Sequence, residues 1–336
     1  MKPRIGLLLG DPTGIGPEIV AKLLATTDVQ EHAALVVIGD ARIFAMGQRT
    51  AGTSLGMKIV QNPADVRFDS GALQFLEFSG PSPENFTVGQ VNGQAGKSVL
   101  EGLAFALDLA RDGILDAIAF APLNKQAMHL GGCPFADELH YLADHLQWKG
   151  YVSEINVLEN LWTSRVTSHV GLRLVSDLIT PQAVHDAIVL IHDALRLSGV
   201  SKPRVAVAAF NPHGGEGGLF GTEEIRGIAP GIAQARSKGI QADGPFPADT
   251  IFLRAKAGTY DAIVTMYHDQ GQVAMKLMGF ERGVTVEGGL PLPVTTPAHG
   301  TAFDIAGQGK ANPQGLYEAV RVACRMGMSR ARRKHE

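Results

Sequence analysis

The chain has 336 residues, of which 45% are hydrophobic and 19% are charged, and its formal net charge is −3. This length predicts two lobes rather than one compact domain, and the balanced charge gives no indication of a nucleic-acid partner. Cys133 and Cys324 form no CxxC pair, and we see neither a leader nor an apolar run of roughly 18 residues, so we expect a cytoplasmic protein without disulfides, thiolate metal site or membrane partner.

Apolar runs separated by helical patterns predict the secondary structure. Most of these runs are continuous rather than alternating, which is typical of strands covered on both faces. They lie at residues 4–10, 34–39, 115–122, 204–212 and 260–270. Amphipathic helices are predicted at 96–113 and 180–199, where Thr180 and Pro181 supply an N-cap and an N1 proline. The alternation predicts an α/β fold with a largely parallel sheet and flanking helices, without a visible internal repeat.

The first motif, GDPTGIGPE, follows the first predicted strand and opens a helix. It matches neither G-x-G-x-x-G nor a Walker A sequence, and Glu18 near the helix start would disfavour a bound phosphate. A tight strand-to-helix turn is the simpler interpretation. Composition alone leaves a ligand loop and a structural turn equally open.

Three histidines lie at the ends of β-prone runs. His213 follows a strand within the glycine-rich NPHGGEGG, His268 follows another strand, and His169 ends SRVTSHV. In open α/β sheets, the loops at the carboxyl ends of strands converge on the ligand. One such histidine is usually structural, but three neutral imidazoles with open coordination positions are typical of a catalytic divalent-metal site. Such ligands accept zinc, which we favour, or cobalt, manganese or magnesium.

Charged residues accompany these histidines. Asp249 in GPFPADTIF and Asp269 beside His268 could orient a ligand imidazole or bind metal or substrate, although an N-cap or turn role explains them equally well. Lys276 and Lys125 are the cations that we place near an anionic substrate, although a solvated lysine is the simpler explanation. The predicted catalytic set is Lys276, Asp249 and Asp269.

Six motifs occur in one order across nearly the whole chain. They are GDPTGIGPE, APLNK, NPHGGEGGLFGTEE, GPFPADT, YHDQGQVAMKLMGFERGVTV and HGTAFDIAGQGKANP. In this order they resemble the 4-hydroxythreonine-4-phosphate dehydrogenase family of pyridoxal phosphate biosynthesis. The first and last motifs are also similar to signatures of the isocitrate and isopropylmalate dehydrogenases.

The resemblance implies a two-lobed isocitrate/isopropylmalate-dehydrogenase-like fold with a cleft between the lobes. It predicts a first lobe of residues 1–128 and 292–336, and a second lobe of residues 129–291 that carries the metal site and the dimer interface. It also implies a homodimer whose metal site is completed across that interface.

The site residues of the resembled family fall on positions of this chain. Its metal histidines fall on His169, His213 and His268, and its substrate lysine falls on Lys276. HGTAFDIAGQGKANP is similar to the stretch that binds the adenosine part of NAD in the related dehydrogenases. The resemblance therefore assigns cofactor binding to His299, Gly300, Asp304 and Asn312. It makes NAD the expected cofactor and leaves NADP open.

Two segments depart from the family pattern. Where the family has GHTEFLA, this chain has DELHYLA, which puts Glu138 and Leu139 in place of a substrate-contacting His-Thr pair. In GVTVEGGLPLPVTT, Thr285 and Val294 replace an asparagine and an arginine that contact the substrate. An apolar side chain thus replaces an arginine fork suited to phosphate, and His140 would compensate only after a register shift. The departures predict a retained metal centre and a lost phosphate grip.

These observations predict an NAD-dependent, divalent-metal-dependent dehydrogenase that oxidises a secondary alcohol beside a carboxylate-bearing carbon, with decarboxylation. The substrate is expected to be a small hydroxy acid that differs from 4-hydroxythreonine 4-phosphate. One alternative is an unphosphorylated cis-dihydrodiol carboxylate, as for terephthalate-type dehydrogenases, which Val294 modestly favours. The other is a non-redox metal-dependent hydrolase or lyase of the same fold, against which the intact HGTAFDIAGQGKANP counts.

Overall fold

The computed structural model describes residues 2–26 and 28–333. The chain divides into two compact units, the first extending to Lys149 and resuming at Leu290, and the second running from Gly150 to Gly289. Residues 129–149, which the resemblance assigned to the second lobe, lie in the first unit. Tyr141 Oη donates to Leu100 O (2.9 Å) there, and Leu142 packs in the first unit's core.

Strands and helices alternate along most of the chain. The strands are β1 Arg4–Leu8, β2 Ala34–Gly39, β3 Lys58–Val60, β4 Gln74–Glu77, β5 Ala117–Phe120, β6 Ser153–Leu158, β7 Leu161–Arg165, β8 Arg204–Ala208, β9 Gln241–Phe246, β10 Ala262–Thr265, β11 Val284–Gly288 and β12 Val294–Pro297. The helices are α1 Gly16–Leu24, α2 Asp28–His32, α3 Ala41–Ala51, α4 Gly93–Arg111, α5 Lys125–Leu130, α6 Glu138–His145, α7 Leu172–Leu178, α8 Pro181–Leu197, α9 Ala229–Ser237, α10 Ala248–Lys256, α11 His268–Gly279 and α12 Gln314–Arg333.

The first unit contains a parallel sheet in the order β3-β4-β2-β1-β5-β12. Successive residues of a strand point to opposite faces. Leu7 therefore packs in one apolar layer with residues of α1, α3 and α12, and Leu8 packs in the other with residues of α4. Both faces of the sheet are covered by helices, which explains the continuous apolar runs.

The second unit contains a mixed sheet in the order β11-β6-β7-β10-β8-β9. Strands β7, β10, β8 and β9 are parallel, whereas β6 is antiparallel to β7 and to β11. The chain runs from β8 to β9 on one side and later to β10 on the other. The direction of the chain connections therefore reverses between the neighbouring strands β8 and β10. Such a topological switch point is the place where α/β sheets usually bind ligands.

The predicted α/β class, with a largely parallel sheet and flanking helices, is confirmed. The apolar run at 34–39 coincides with β2, and Thr180 caps α8 by accepting from Ala183 N (3.2 Å). Among the described residues, no single helix is long and apolar enough to cross a bilayer. Helices α7 and α8 meet that criterion only as a pair bent by 93°.

Candidate functional site

His169 and His268 lie side by side at the carboxyl ends of two neighbouring parallel strands. Strand β7 pairs with β10, and the contact continues past both strands because Thr167 N (3.1 Å) and Thr167 Oγ1 (2.8 Å) donate to Met266 O. The ring centroids of the two histidines are 5.8 Å apart. Strand order thus brings together two imidazoles that are distant in sequence.

Two of the three candidate metal histidines have a left-handed backbone. The φ angle is 52° at His169 and 54° at His213, and the described chain has only six non-glycine residues with positive φ. Histidine tolerates this region better than most residues, but it still costs about 1–2 kcal/mol. Strain of this kind concentrates at functional sites, so its presence at both histidines favours a functional role.

The loop that carries His213 is a left-handed turn. From His213 to Gly218 every residue has positive φ, between 43° and 104°. Glycine adopts this conformation without a steric penalty, whereas a side chain at each position would add strain. The glycines of NPHGGEGG therefore allow the left-handed backbone of this turn, in addition to any access that they give a ligand.

Glu224 holds this loop and was missed by the sequence analysis. Its side chain is buried, with Oε1 accepting from Phe210 N (2.9 Å) and Asn211 N (2.7 Å) and Oε2 accepting from Asn211 Nδ2 (2.9 Å). Asn211 Nδ2 also donates to Glu223 Oε2 (2.7 Å). The signal in the sequence was the acidic pair that ends NPHGGEGGLFGTEE, whose contact with Asn211 depends on the fold of the turn.

Among the described residues, the three candidate metal histidines do not form one cluster. Within residues 2–26 and 28–333, no group of three or more His, Cys, Asp or Glu side chains is arranged to hold an ion. His169 and His268 form a pair, while the His213 ring lies 6.4 Å from the ring of Phe220. The imidazole donors suit a borderline divalent ion such as zinc, and the described residues bring two of them to one place.

The predicted catalytic residues Lys276, Asp249 and Asp269 lie at the surface of the second unit, whereas Lys125 lies in α5 of the first unit. Asp269 Oδ1 is 2.7 Å from His268 Nδ1. Because a carboxylate only accepts, the Nδ1 atom carries the proton, and in the neutral ring Nε2 is then the atom with the free lone pair. Asp249 lies in the first turn of α10, and Lys276 lies in the last turn of α11; both are exposed. Asp269 is thus the predicted acidic residue that contacts the histidine pair.

A buried polar network supports the turn that carries His169. Arg165 on β7 is 3% exposed, and its Nε donates to Ser168 Oγ (2.8 Å), its Nη1 donates to Asn156 Oδ1 (2.9 Å), and its Nη2 pairs with Glu154. A buried guanidinium needs such partners because an unpaired buried charge costs several kcal/mol. The network was not predicted, since its members meet only through the pairing of β6 with β7.

The four predicted cofactor residues follow β12 in the first unit. Gly300, Asp304 and Asn312 are exposed, and His299 is half-buried. A Cβ added to Gly300 would meet no atom within 4 Å, so the backbone there is open to a ligand. Asn312 also has a structural role, since its Oδ1 accepts from Gln314 N (3.0 Å) at the start of α12.

Glu138 and His140 lie in the first turn of α6, in the first unit. Asp137 caps this helix, with its Oδ1 accepting from His140 N (3.0 Å) and from His140 Nδ1 (2.5 Å). Burial alone would raise the pKa of Asp137, but these hydrogen bonds outweigh burial and lower it. Glu138 Oε2 lies 3.7 Å from Lys125 Nζ. Lys125 of APLNK therefore forms an ion pair with Glu138, the residue that differs from the family pattern.

Thr285 and Val294 are both buried. Val294 is 0% exposed and packs in the core of the first unit with Leu8 and Phe120. Thr285 is 9% exposed, and its Oγ1 accepts from Asn156 Nδ2 (3.3 Å). Val294 contacts the core rather than an open cavity. The presence of valine where the resembled family has arginine therefore does not by itself measure the affinity for phosphate.

The fold and these residues define a class of protein: an α/β chain of two units with a histidine pair at the carboxyl ends of parallel strands. Comparison with known proteins then gives the family. Residues 31–323 match the family model of the pyridoxal phosphate biosynthetic protein PdxA, and the chain belongs to this family.

Curated relatives match the chain along its length. It is 50% identical to "Putative 4-hydroxythreonine-4-phosphate dehydrogenase 2" of Pseudomonas aeruginosa, covering 98% of each chain. It is 40% identical to the D-threonate 4-phosphate dehydrogenase of Cupriavidus necator, again covering 98% of each chain.

Solved structures give the same relationship. A 4-hydroxythreonine-4-phosphate dehydrogenase from Klebsiella pneumoniae is 37% identical, with a TM-score of 0.85 over 97% of this chain and 98% of that one. A terephthalate 1,2-cis-dihydrodiol dehydrogenase from Burkholderia xenovorans is 29% identical, with a TM-score of 0.67 over 96% of this chain and 98% of that one. Likeness is thus greater to the enzyme named for a phosphorylated substrate.

Proposed function

We propose that this chain is an oxidoreductase that oxidises a secondary alcohol beside the carboxylate-bearing carbon of a phosphorylated four-carbon hydroxy acid. His299, Gly300, Asp304 and Asn312 would hold NAD, which would supply the hydride acceptor; a base of the chain takes the hydroxyl proton, and the resulting β-keto acid would lose CO2 and take up a proton in its place. The observation that carries the proposal is the pair formed by His169 and His268 at strand ends, in a chain that belongs to the PdxA family.

His169, His213 and His268 are the residues that would hold a divalent cation, zinc or alternatively cobalt, manganese or magnesium. Such a cation supplies charge that favours ionisation of the substrate hydroxyl. Asp269 orients the His268 ring through Nδ1 and so presents Nε2 as the donor atom. Lys276 and Asp249 serve to orient the substrate and to move its proton.

A homodimer is part of this proposal, since the described residues bring two candidate histidines together and a second copy would supply a further ligand. Each histidine segment of the second unit is followed by an exposed leucine: Leu172 is 69% exposed, Leu219 is 74% and Leu277 is 85%. A contiguous exposed apolar patch marks an association surface, and the proposal requires these leucines to lie in one. A second copy that covers them would bring a further histidine to the pair. The expected result of light scattering on the purified protein is twice the chain mass.

The names of the relatives support a phosphorylated substrate. The relatives named for 4-hydroxythreonine 4-phosphate and for D-threonate 4-phosphate cover the whole chain at 50% and 40% identity. Val294 lies in the apolar core of the first unit and offers no donor to a phosphate, so the choice of a phosphorylated substrate rests on the names of the relatives. The two phosphate esters differ at C2, where one carries an amine and the other a hydroxyl.

A second candidate is an unphosphorylated cis-dihydrodiol carboxylate, which the likeness to the Burkholderia xenovorans enzyme favours. Its oxidation also removes a hydride beside a carboxylate and ends in loss of CO2. A non-redox hydrolase or lyase would need no NAD and therefore no segment like His299 to Asn312.

The test is the formation of NADH by purified protein that has been stripped of metal and resupplied with zinc, cobalt, manganese or magnesium. The substrates are 4-hydroxythreonine 4-phosphate, D-threonate 4-phosphate, D-threonate as the matched control without phosphate, and a cis-dihydrodiol carboxylate. Turnover of a phosphate ester but not of D-threonate supports the proposal. Turnover only of the dihydrodiol supports the second candidate, and absence of NAD binding would contradict both.

A further inference from the structure

Helix α1 contains an ion pair between a buried carboxylate and a partly buried lysine, and this pair reaches the candidate cofactor segment. Glu18 is 2% exposed, and its Oε1 accepts from Lys22 Nζ (2.7 Å) and from Ala311 N (2.8 Å). Lys22 Nζ also donates to Gly309 O and to Ala311 O, each at 2.8 Å. An ammonium group has three protons, and each has an acceptor here. The pair therefore ties α1 to the end of HGTAFDIAGQGKANP.

The start of the same segment contacts the turn that precedes α1. Ile15 N donates to Thr301 O (3.1 Å). A Cβ on Gly14 would lie 2.8 Å from Thr301 Cβ, so the two loops approach this closely only because residue 14 is glycine. GDPTGIGPE thus contacts the cofactor segment near both of its ends, through the glycine turn at Thr301 and through α1 at Ala311.

The segment between these two contacts is irregular. No helix or strand spans residues 298–313 in the described chain, and φ is positive at Ala302 (44°), Gly307 (76°) and Gly309 (72°). A backbone without helix or strand hydrogen bonds depends on its tertiary contacts for a fixed shape. The exposed Asp304 lies between the two contacts, so its position depends on them.

We propose that Glu18 and Lys22 are positioning residues for the dinucleotide, because they hold residues 299–313 in the shape that binds NAD. This inference rests on the proposed function, which takes that segment as the NAD site. The carboxylate that would repel a phosphate at the start of α1 is occupied by Lys22 and by the Ala311 amide. Neither residue needs to touch NAD. Their loss therefore weakens cofactor affinity and leaves turnover at saturating NAD unchanged.

The test measures the dissociation constant of NAD by calorimetry on the full-length protein. Lys22→Met keeps the length of the side chain and removes its three hydrogen bonds, so the dissociation constant is expected to rise about tenfold. Glu18→Gln keeps an acceptor for Ala311 N and loses the ion pair, so a smaller rise is expected. The matched control is Lys97→Met, which removes an exposed ion pair with Glu101 (3.8 Å) on α4 and should leave NAD affinity unchanged.

Two further measurements separate positioning from a general loss of structure. The KM for NAD should rise with the dissociation constant, while kcat at saturating NAD stays within about twofold of the wild-type value. Hydrogen exchange at the Ala311 amide should accelerate in Lys22→Met without a matching change in the strands of the first unit.

The outcomes distinguish this inference from the proposed function. An unchanged dissociation constant in folded Lys22→Met overturns the inference and leaves the proposed cofactor in place. Failure of the wild-type protein to bind NAD overturns both. If Lys22→Met does not fold, Glu18→Gln decides, and an unchanged NAD affinity in that variant overturns the inference.

Discussion

The two units share one structural device at the amino ends of their strands. Arg4 begins β1 and Arg204 begins β8, and each binds the aspartate that precedes the neighbouring parallel strand. Backbone N, Nε and Nη2 of Arg4 donate to Asp116 at 2.9, 3.1 and 2.8 Å. The same atoms of Arg204 donate to Asp261 at 2.8, 3.1 and 2.8 Å. Each pair fixes the relative position of two adjacent strands.

The carboxyl ends of the same strands differ. In the first unit, β1 leads into the glycine turn of GDPTGIGPE and β5 leads into APLNK. In the second unit, β8 leads to His213 and β10 leads to His268. In α/β folds ligands usually bind at the carboxyl ends of strands, and the candidate metal ligands of the second unit lie at such ends. The candidate cofactor segment of the first unit follows β12 and contacts the turn after β1, whereas the candidate metal ligands of the second unit follow β7, β8 and β10.

The largest expected effect is at the carboxyl ends of the second unit. His268→Ala removes one imidazole of the pair, and kcat/KM for NADH formation is expected to fall at least about 100-fold. The matched control is His192→Ala, which removes a histidine of α8 from the same unit. Equal activity of the two variants would contradict the assignment of metal binding to His268. Their thermal unfolding midpoints should stay close to that of the wild type.

The amino-end pairs are expected to differ in their contribution to stability. The side chain of Asp116 is 3% exposed and that of Asp261 is 23% exposed. Removing the carboxylate leaves an arginine without its partner, and the cost is greater where solvent cannot replace it. We expect Asp116→Ala to lower the free energy of unfolding by about 2 kcal/mol and Asp261→Ala by about 1 kcal/mol. Urea titrations of both variants measure this, and the opposite order would refute the dependence on burial.

A smaller effect should appear as a pH dependence of the second pair. Burial alone would raise the pKa of Asp261, but the hydrogen bonds from Arg204 outweigh burial and lower it. The ionised group therefore stabilises the fold above its unfolded pKa of about 3.9, and this contribution is lost as the pH falls through the folded pKa. The stability difference between wild type and Asp261→Asn should be complete at neutral pH and shrink below about pH 4. If the difference in unfolding free energy did not change with pH, the charge of Asp261 would not be its cause.

The smallest expected signal is a thiol reaction confined to the first unit. Burial raises the pKa of Cys324 to about 12, and both cysteines of the sequence, Cys133 and Cys324, lie buried in that unit. A thiol reagent at mildly alkaline pH should therefore react only when the first unit opens. Asp116→Ala should accelerate labelling more than Asp261→Ala does. Equal acceleration would mean that the two units open together.

Sequence patterns predicted part of the local structure, although the helix predicted at 96–113 is Gly93–Arg111 and the run at 260–270 contains both β10 and the start of α11. Buried parallel strands are continuous apolar runs, and the run at 34–39 has the same bounds as β2. An N-cap residue followed by proline located the start of α8 at Pro181. The position of the histidines after strands was also readable, because strand ends are local features. The wider family relationship followed from the order of the motifs, which the family match confirms.

Tertiary structure decided which of these local features meet. The pairing of β7 with β10 makes His169 and His268 neighbours, and no periodicity in the sequence encodes that strand order. The same holds for Lys22 and Ala311, which are 289 residues apart, and for Val294, whose strand has a buried central position. Periodicity reports burial along one element, whereas these contacts depend on how elements pack. The sequence by itself therefore determined the elements and the candidate donors, and the fold determined which donors share a site.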